Sequence, residues 1–363
     1  MKCIILILLF LANSALLYSQ PNGEIQKAAI HLTDSIECTE VKDQALSPTC
    51  WVFGTNSLFE SDLIKKYGIR LNLSEMFIAR YAYIDKAKKY VATNGKTYFK
   101  GGGQFHDVMR VVNKYGMMPE EAYSGIINGN SYHDHTKLDT AMGRLGRKFL
   151  RLGKKELNAK DIQQINDTLD KYLGKLPATF WYDMEPYTPK SFAQKLIHFE
   201  NDYIEVMSFS NLPYYKKCLL NDKFNWAGDS LYNITLNDMQ MIIDTALANG
   251  WSVGWEGDVT EPGFNSFQGY AMLNNSEHLY EEERLKNFKT EATERDHMLH
   301  LVGMGKDEST QKLYYLKNSW GTWINDLKGF MYMSEEYFKM KTVVLMVNKA
   351  AMPRQLKEKL GVK

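Results

Sequence analysis

Cysteine, proline and unbalanced charge are scarce in this chain of 363 residues. It contains 4 cysteines and 9 prolines, and 44 lysine and arginine residues nearly balance 43 aspartate and glutamate residues, for a net charge of +1. Because nucleic acids and anionic membrane surfaces are bound by clusters of basic charge, we expect neither as a partner. The hydrophobic share of 44% is enough to bury a large core in one two-lobed domain or two packed domains.

Several catalytic motifs are missing as well. The chain has no His-Glu-x-x-His pattern of zinc peptidases and no Gly-x-Ser-x-Gly elbow of serine hydrolases. Gly95-Lys96 is similar to the end of a phosphate-binding loop, but Tyr90 stands where the first glycine of that motif belongs. His133 and His135 form a pair without further ligands, which is more typical of a loop than of a metal site. We therefore expect no metal and no cofactor.

An apolar run at the N-terminus predicts a secretory signal peptide over residues 1–19. Lys2 supplies a positive charge, Ile4 to Leu11 the apolar region, and small residues up to Ser19 a cleavage site just before Gln20. The run is shorter than the ~20 apolar residues of a membrane span, and Cys3 precedes it, which argues against a lipid anchor. We expect an exported protein, periplasmic or secreted, without a membrane anchor.

Removal of this peptide would leave three cysteines, Cys38, Cys50 and Cys218. An odd number of cysteines in an oxidising compartment leaves at least one free thiol. Cys38 and Cys218 either pair or remain as two buried free thiols, and both alternatives stay open. Cys50 is the thiol whose surroundings indicate chemistry.

Cys50 stands where a helix is predicted to begin. Pro48 and Thr49 are start signals, Gly68 is a stop signal, and apolar residues recur between them at helical spacing, at Trp51, Leu58, Phe59 and Leu63. The positive end of a helix dipole favours a thiolate, which is the nucleophilic form of cysteine. A nucleophile that attacks carbonyl carbon is therefore the functional interpretation of Cys50, and a buried small side chain is the alternative.

Further residues supply the other parts of acyl transfer by a thiol. His297 is the candidate base, and Asn318, in Asn-Ser-Trp-Gly, is the amide that would orient the imidazole. Trp320 would shield this pair from water and border the substrate. Gln44, six residues before the nucleophile, would stabilise the oxyanion together with a backbone N–H. His300 lies on the opposite face of the same predicted strand and is expected to be packed or at the surface.

The chain resembles the papain-like cysteine peptidases in the order and spacing of four residues: Gln44, Cys50, His297 and Asn318. Gly102 and Gly103, ahead of a predicted helix from Phe105 to Lys114, are similar to the family's glycine pair, which hydrogen-bonds the substrate backbone. The bleomycin hydrolase and aminopeptidase C branch is indicated by further stretches, at 73–77, 214–215, 250–259 and 296–298. The resemblance covers almost the whole mature chain, residues 20–363.

The spacing of nucleophile and base indicates the same branch. His297 follows Cys50 by 247 residues, whereas simple papain-like enzymes place the histidine roughly 130–150 residues downstream. About a hundred additional residues must therefore form insertions, as they do in the bleomycin hydrolase branch.

The resemblance implies an α+β, papain-like fold of two lobes with helical insertions. We expect a helical lobe at about 36–125, a helix-patterned insertion at 126–245, and an antiparallel, β-barrel-like lobe at 246–350. Strands are predicted at Trp251–Trp255, His300–Met304, Leu313–Lys317 and Phe330–Met333, and a surface insertion at 264–293. The basic runs at 86–89 and 153–155 are interpreted as solvated faces.

The predicted function is hydrolysis of peptide bonds through a Cys50–His297 pair and a thioester acyl-enzyme. An aminopeptidase is preferred, because in the branch that the chain resembles a C-terminal arm enters the cleft and subunits can form a hexamer. Residues 351–363 are the candidate arm, with a short basic helix at Gln355–Leu360. Two alternatives stay open: an open-cleft endopeptidase, and a catalytically impaired, peptide-binding homologue. The second is motivated by Ala45 to Thr49, which depart from the family's glycine-containing loop.

Overall fold

The structure, a computed structural model, describes residues 30–127, 129–197, 201–273 and 280–362. The predicted signal peptide and its cleavage site lie outside these residues. The described helices are α1 Cys50–Tyr67, α2 Glu75–Ala92, α3 Phe105–Tyr115, α4 Thr136–Arg151, α5 Ala159–Leu173, α6 Pro189–Phe192, α7 Leu236–Ala248, α8 Tyr280–Lys289, α9 Glu335–Lys341 and α10 Arg354–Leu360. None of the helices in these ranges is long and apolar enough to cross a membrane.

The described strands follow the same chain order. They are β1 His31–Ser35, β2 Phe180–Tyr182, β3 Glu185–Tyr187, β4 Tyr203–Met207, β5 Lys216–Leu219, β6 Ser230–Asn233, β7 Val253–Gly257, β8 Phe264–Asn265, β9 Tyr270–Ala271, β10 His297–Lys306, β11 Lys312–Lys317, β12 Phe330–Ser334 and β13 Thr342–Asn348. The four strands predicted between 251 and 333 correspond to β7, β10, β11 and β12, so their existence is confirmed.

Helix α1 begins at Cys50 and stops at Gly68, as predicted. Gly68 closes the helix with a φ of 68°, a left-handed conformation that glycine adopts at little cost. Most of the helix is buried between the other helices and the sheet. Gly54 allows a close approach to β10, since a Cβ at this position would lie 3.3 Å from the Cβ of Met298. This packing brings the N-terminus of α1 to the first residues of β10.

The main sheet is open and mixed rather than barrel-like. Its strand order is β5-β6-β4-β13-β7-β10-β11-β12-β9-β8, and β1 also pairs with β10. Most neighbouring strands are antiparallel, whereas β4–β6 and β9–β12 are parallel. Within the described ranges the outer strands β5 and β8 do not pair with each other, so the sheet does not close. The expectation of a barrel-like lobe is therefore wrong in this respect, because additional strands extend the sheet beyond β13.

Those additional strands come from the segment 126–245, which was expected to be a helical insertion. Helices α4 and α5 do form there and contribute Leu138, Phe149 and Ile165 to the core of the helical lobe. Strand β4, however, pairs with β13 and buries Val206 and Met207 in two different hydrophobic clusters. Strands of four or five residues between polar loops give only a weak sequence pattern, so the helical periodicity of the neighbouring residues dominated the prediction.

The predicted short helix of the C-terminal tail is present as α10, but it does not line the cleft described below. Leu356 and Leu360 are buried in the hydrophobic cluster that α7 and α9 also form. The Lys359 ammonium lies 4.8 Å from the centre of the Tyr215 ring. The described part of the tail, as far as Val362, is therefore docked against this cluster.

Candidate active site

The N-terminus of α1 and the start of β10 border one cleft with a volume of about 460 Å³. Six of the seven predicted site residues line this cleft, namely Gln44, Cys50, Gly102, Gly103, His297 and Trp320. Asn318, the seventh, contacts His297 directly. The fold thus brings the whole predicted constellation together.

Asn318 holds the imidazole of His297 in one tautomer. Its Oδ1 lies 2.8 Å from Nε2 of His297 and also accepts a hydrogen bond from the Ser319 backbone N–H at 2.7 Å. Because Oδ1 only accepts, the histidine proton must be on Nε2, which leaves Nδ1 as the acceptor. The Trp320 ring lies over the imidazole with its centre 4.5 Å away. The imidazole is therefore oriented by Asn318 on one side and covered by Trp320 on another.

Burial opposes charge on both the thiol and the imidazole. It raises the pKa of Cys50 to about 12; backbone N–H groups of Met298 and Trp51 oppose the rise, and the charges of Glu256 and Asp296 add to it. Burial also lowers the pKa of His297 to about 4, against the hydrogen bond that His297 donates to Asn318. A lone thiolate and a lone imidazolium are therefore both disfavoured in this cleft.

Gln44 is held in the lining of the cleft by two hydrogen bonds of its side chain. Its Oε1 accepts from the Ser319 hydroxyl at 2.7 Å, and its Nε2 donates to the Ser47 carbonyl at 2.9 Å. One N–H of the amide remains for an oxyanion. The Asn-Ser-Trp-Gly stretch therefore positions two parts of the site, because its asparagine orients the base and its serine orients Gln44.

Ala45 occupies a backbone conformation that favours glycine. Its φ is 45°, and its N–H donates to Asp43 Oδ1 at 2.8 Å. A left-handed conformation costs a residue with a Cβ about 1–2 kcal/mol. The loop from Ala45 to Thr49 thus keeps a glycine-like turn, although the glycine of the family pattern is absent.

The glycine pair also lines the cleft and is packed tightly. A Cβ at Gly103 would lie 2.7 Å from the Trp51 ring, so only glycine fits there. The Gly102 carbonyl already accepts a hydrogen bond from the Lys86 ammonium, which also donates to the Lys100 carbonyl at 3.1 Å. Of the pair, Gly103 therefore keeps the backbone groups that a substrate could use.

Lys86 corrects the interpretation of its basic run as a solvated face. Its side chain is buried, whereas Lys88 and Lys89 are exposed. Burial lowers the pKa of Lys86 to about 8, and its ammonium lies 5.3 Å from the centre of the Trp51 ring. Because carbonyl oxygens and an aromatic face surround it, the ammonium is solvated by the protein instead of by water.

The sequence analysis did not identify four further residues of the cleft lining. Tyr98, Phe224, Glu256 and Arg295 all line it. Glu256 carries a signal that was available, since it is a carboxylate inside the otherwise apolar strand β7. Phe224 carries none, because an aromatic residue in a polar loop is common and only the fold places it here.

The other candidate residues are not part of the cleft lining. His300 is buried with Nδ1 2.8 Å from the Ser57 hydroxyl, as a packed residue is expected to be. Cys38 and Cys218 are free thiols. The segment with His133 and His135 pairs with the loop after Gln44, and no group of three or more potential metal ligands occurs in the part of the chain that the structure describes.

Fold and site together define a papain-like cysteine peptidase. The sequence profile of the Peptidase C1-like family matches residues 12–363, and the chain belongs to this family. It is 25% identical to aminopeptidase G of Lactobacillus delbrueckii subsp. lactis, over 88% of this chain and 83% of the relative. Bleomycin hydrolase of Mus musculus is 20% identical, over 87% of this chain and 81% of the relative.

A solved structure shares the fold. The crystal structure of PepW from Lactobacillus rhamnosis superimposes with a TM-score of 0.69 at 16% identity, covering 91% of this chain and 84% of that chain. The predicted α+β fold and the predicted branch of the family are therefore confirmed.

Proposed function

We propose that this protein is a cysteine aminopeptidase in which Cys50 is the nucleophile, His297 the base, Asn318 its orienting amide and Gln44 an oxyanion donor. The observation that carries the assignment is the hydrogen bond from His297 Nε2 to Asn318, which leaves Nδ1 free to accept the thiol proton. The named relatives, an aminopeptidase and bleomycin hydrolase, support the same class.

Catalysis then proceeds in two halves. His297 takes the Cys50 proton, the sulfur attacks the carbonyl carbon, and the oxyanion is stabilised by Gln44 Nε2–H and the Cys50 backbone N–H. The imidazolium protonates the leaving amine as the carbon–nitrogen bond breaks, which leaves a thioester. His297 next deprotonates a water that attacks the thioester, and the sulfur leaves with the proton from the imidazolium. The products are a free amino acid and the shortened peptide.

Paired fluorogenic substrates test the proposal. One has a free α-amine, its twin is acetylated, and both are assayed in reductant with the purified protein and with Cys50→Ala. We expect cleavage of the free-amine substrate alone and a loss of about 10³-fold or more in the variant. Cleavage of both substrates indicates an endopeptidase, and cleavage of neither indicates an impaired homologue that binds peptides.

The docked tail makes a further expectation possible. Since Leu356 and Leu360 are buried away from the cleft lining, removal of residues from Pro353 onward is not expected to create endopeptidase activity. A gain of cleavage of the acetylated substrate by the truncated protein would instead show that the tail restricts the cleft.

We also propose export through the signal peptide at 1–19 and assembly into a homo-oligomer. The export proposal rests on the apolar N-terminal run, and the assembly proposal rests on the resemblance to the bleomycin hydrolase branch, where a hexamer occurs. N-terminal sequencing of the secreted or periplasmic protein, with Gln20 expected first, checks the former, and light scattering of the purified protein checks the latter.

A further inference from the structure

Glu256 is a buried carboxylate of the cleft with one oxygen unused. Its side chain is 4% exposed, and Oε2 accepts a hydrogen bond from Arg295 Nη2. Oε1 makes no hydrogen bond to any residue that the structure describes. Unlike Nε and Nη1 of Arg295, this oxygen is not sealed from solvent, so it is open to the cleft and can accept a hydrogen bond from a ligand.

The surrounding charges favour a cation as that ligand. The Arg295 side chain, which is fully buried, also donates to Gln104 Oε1 and lies 3.9 Å from Asp222. One guanidinium therefore faces two carboxylates, Glu256 and Asp222, and Asp296 adds further negative charge to the cleft. When Glu256 is ionised, the net charge of this group is negative, which suits an ammonium.

Two aromatic side chains line the cleft beside this group. The Phe224 and Tyr98 rings pack edge to face with centres 5.0 Å apart. Both cover Gly102, where a Cβ would lie 3.0 Å from the Tyr98 hydroxyl and 3.1 Å from the Phe224 ring. A polypeptide chain that ran across Gly102 would therefore meet one of these rings.

The loop that carries Phe224 is firmly attached to α3. Trp226 donates from Nε1 to Asp107 at 2.8 Å, and Arg110 forms ion pairs with Asp107 and Asp229. Asp222 accepts from the Phe224 backbone N–H at 2.7 Å. The ring is thus held in place by the loop and by the helix beneath it.

We propose that Glu256 binds the α-ammonium of the substrate and that Phe224 and Tyr98 prevent the substrate from extending beyond it. This proposal rests on the aminopeptidase function proposed above. The α-nitrogen lies only ~2.5 Å from the carbonyl carbon that the sulfur attacks, so its binding group must be close to Cys50. Glu256 lines the same cleft, and its charge acts on the Cys50 thiol.

Three substrates separate the possible sources of an ammonium. They are alanyl, acetyl-alanyl and acetyl-lysyl-alanyl amides of one fluorophore, because a lysine side chain one residue upstream presents the same chemical group as an α-amine. Each is assayed for kcat and KM with the parent protein, Glu256→Gln, Phe224→Ala and the control Glu294→Gln. Glu294 is a carboxylate near Asp296 that is 53% exposed and lies outside the cleft lining.

We expect Glu256→Gln to lower kcat/KM for the alanyl substrate about tenfold or more, mainly through KM, and to leave acetyl-alanyl cleavage unchanged. Phe224→Ala should raise cleavage of both acetylated substrates about tenfold or more. The control should stay within about twofold on all three. Thermal unfolding of each variant verifies that it is folded.

Other outcomes overturn the proposal in distinguishable ways. If the parent protein cleaves alanyl and acetyl-alanyl substrates equally, the aminopeptidase function itself fails. If the parent discriminates but neither variant changes the ratio, the α-amine is bound elsewhere. An equal loss on all substrates in Glu256→Gln indicates a structural role only, and a selective loss on acetyl-lysyl-alanyl indicates that Glu256 binds a side chain.

Discussion

The two ends of the cleft are built differently. At the catalytic end, Gln44, His297 and Asn318 are joined by hydrogen bonds between neutral groups, with Ser319 shared between them. At the end lined by Tyr98 and Phe224, which we call the closed end after the role proposed for these rings, Glu256 and Arg295 form a buried ion pair. Neutral hydrogen bonds fix positions with little cost in desolvation, whereas a buried ion pair is costly and leaves a strong field. The first arrangement suits chemistry common to all substrates, and the second suits discrimination between them.

Among the variants that compare the two ends, the largest expected effect concerns the catalytic end. Gln44→Ala removes a donor to the oxyanion, and loss of one such donor typically lowers kcat about 10²–10³-fold. Because Gln44 is outside the closed end, the preference for a free amine over an acetylated amine should stay the same. Steady-state kinetics on both substrates measure the two quantities separately.

Ser319→Ala is the matched control for that variant. It keeps the Gln44 amide but removes the hydroxyl that donates to it at 2.7 Å, so a smaller loss of about tenfold is expected. An unchanged kcat in Gln44→Ala would mean that the oxyanion is stabilised by other groups. The role assigned to Gln44 at the catalytic end would then be wrong.

The next effect concerns the support of the closed end. Lys86→Met leaves the carbonyls of Lys100 and Gly102 without their buried donor, which should lower the free energy of unfolding by about 1–3 kcal/mol. The loosened loop should also admit more of the acetylated substrate. Denaturant unfolding and the paired assay measure both effects.

Lys88→Met provides the comparison, since Lys88 is 45% exposed and lies in the same helix. The free energy of unfolding of the Lys88→Met variant should differ from that of the parent protein by less than about 0.5 kcal/mol. If both lysine variants behave alike, the buried ammonium does not support the glycine loop.

The difference between the ends also determines what the sequence could predict. The nucleophile, base, amides and glycine pair occur in short motifs with fixed spacing, and helix α1 has both a start and a stop signal, so these features were predictable. The closed end combines Lys86, Tyr98, Phe224, Glu256 and Arg295 from five separate parts of the chain. No local pattern relates them, because only the folded sheet and the loop before β6 bring them together.

The same reasoning explains the errors in the fold. Strand β4 is buried on both faces, and a short buried strand has no distinctive period. The run that contains Lys86 looks like a solvated helix face, because its charge pattern does not reveal that the ammonium finds carbonyls near Gly102. In both cases the observed structure depends on contacts between residues far apart in the sequence.

The pH dependence of kcat/KM should differ between the two ends. Burial raises the pKa of Glu256 from 4.5 to about 7, against the attraction of Arg295, and Asp222 and Glu205 add to the rise. The carboxylate is charged only above this pKa, so binding of an α-ammonium should improve as pH rises through about 7. It should decline again as the substrate amine loses its proton near its ordinary pKa of about 8.

In Glu256→Gln the acid limb near pH 7 should disappear. The remaining limb should lie nearer the pKa values of Asp296 and His297, about 6 and about 4. A profile of kcat/KM from pH 4 to 9 with the alanyl substrate measures this shift. The same acid limb in parent and variant would assign it to a group other than Glu256.

The smallest expected effect tests the stiffness of the catalytic end. Ala45→Gly relieves a left-handed conformation that costs alanine about 1–2 kcal/mol, while the greater freedom of glycine in the unfolded chain offsets about 0.4–1 kcal/mol. The net expectation is a stabilisation of about 0.5 kcal/mol with kcat almost unchanged, because the turn already has the shape that glycine prefers. The same substitution at Ala141, inside helix α4, should instead destabilise by about 1 kcal/mol. Denaturant unfolding of the two variants, measured side by side, gives the difference in their free energies of unfolding. If Ala45→Gly also lowers the free energy of unfolding, the loop before Cys50 is not strained. The departure of this loop from the family pattern would then act through Pro48 rather than through Ala45.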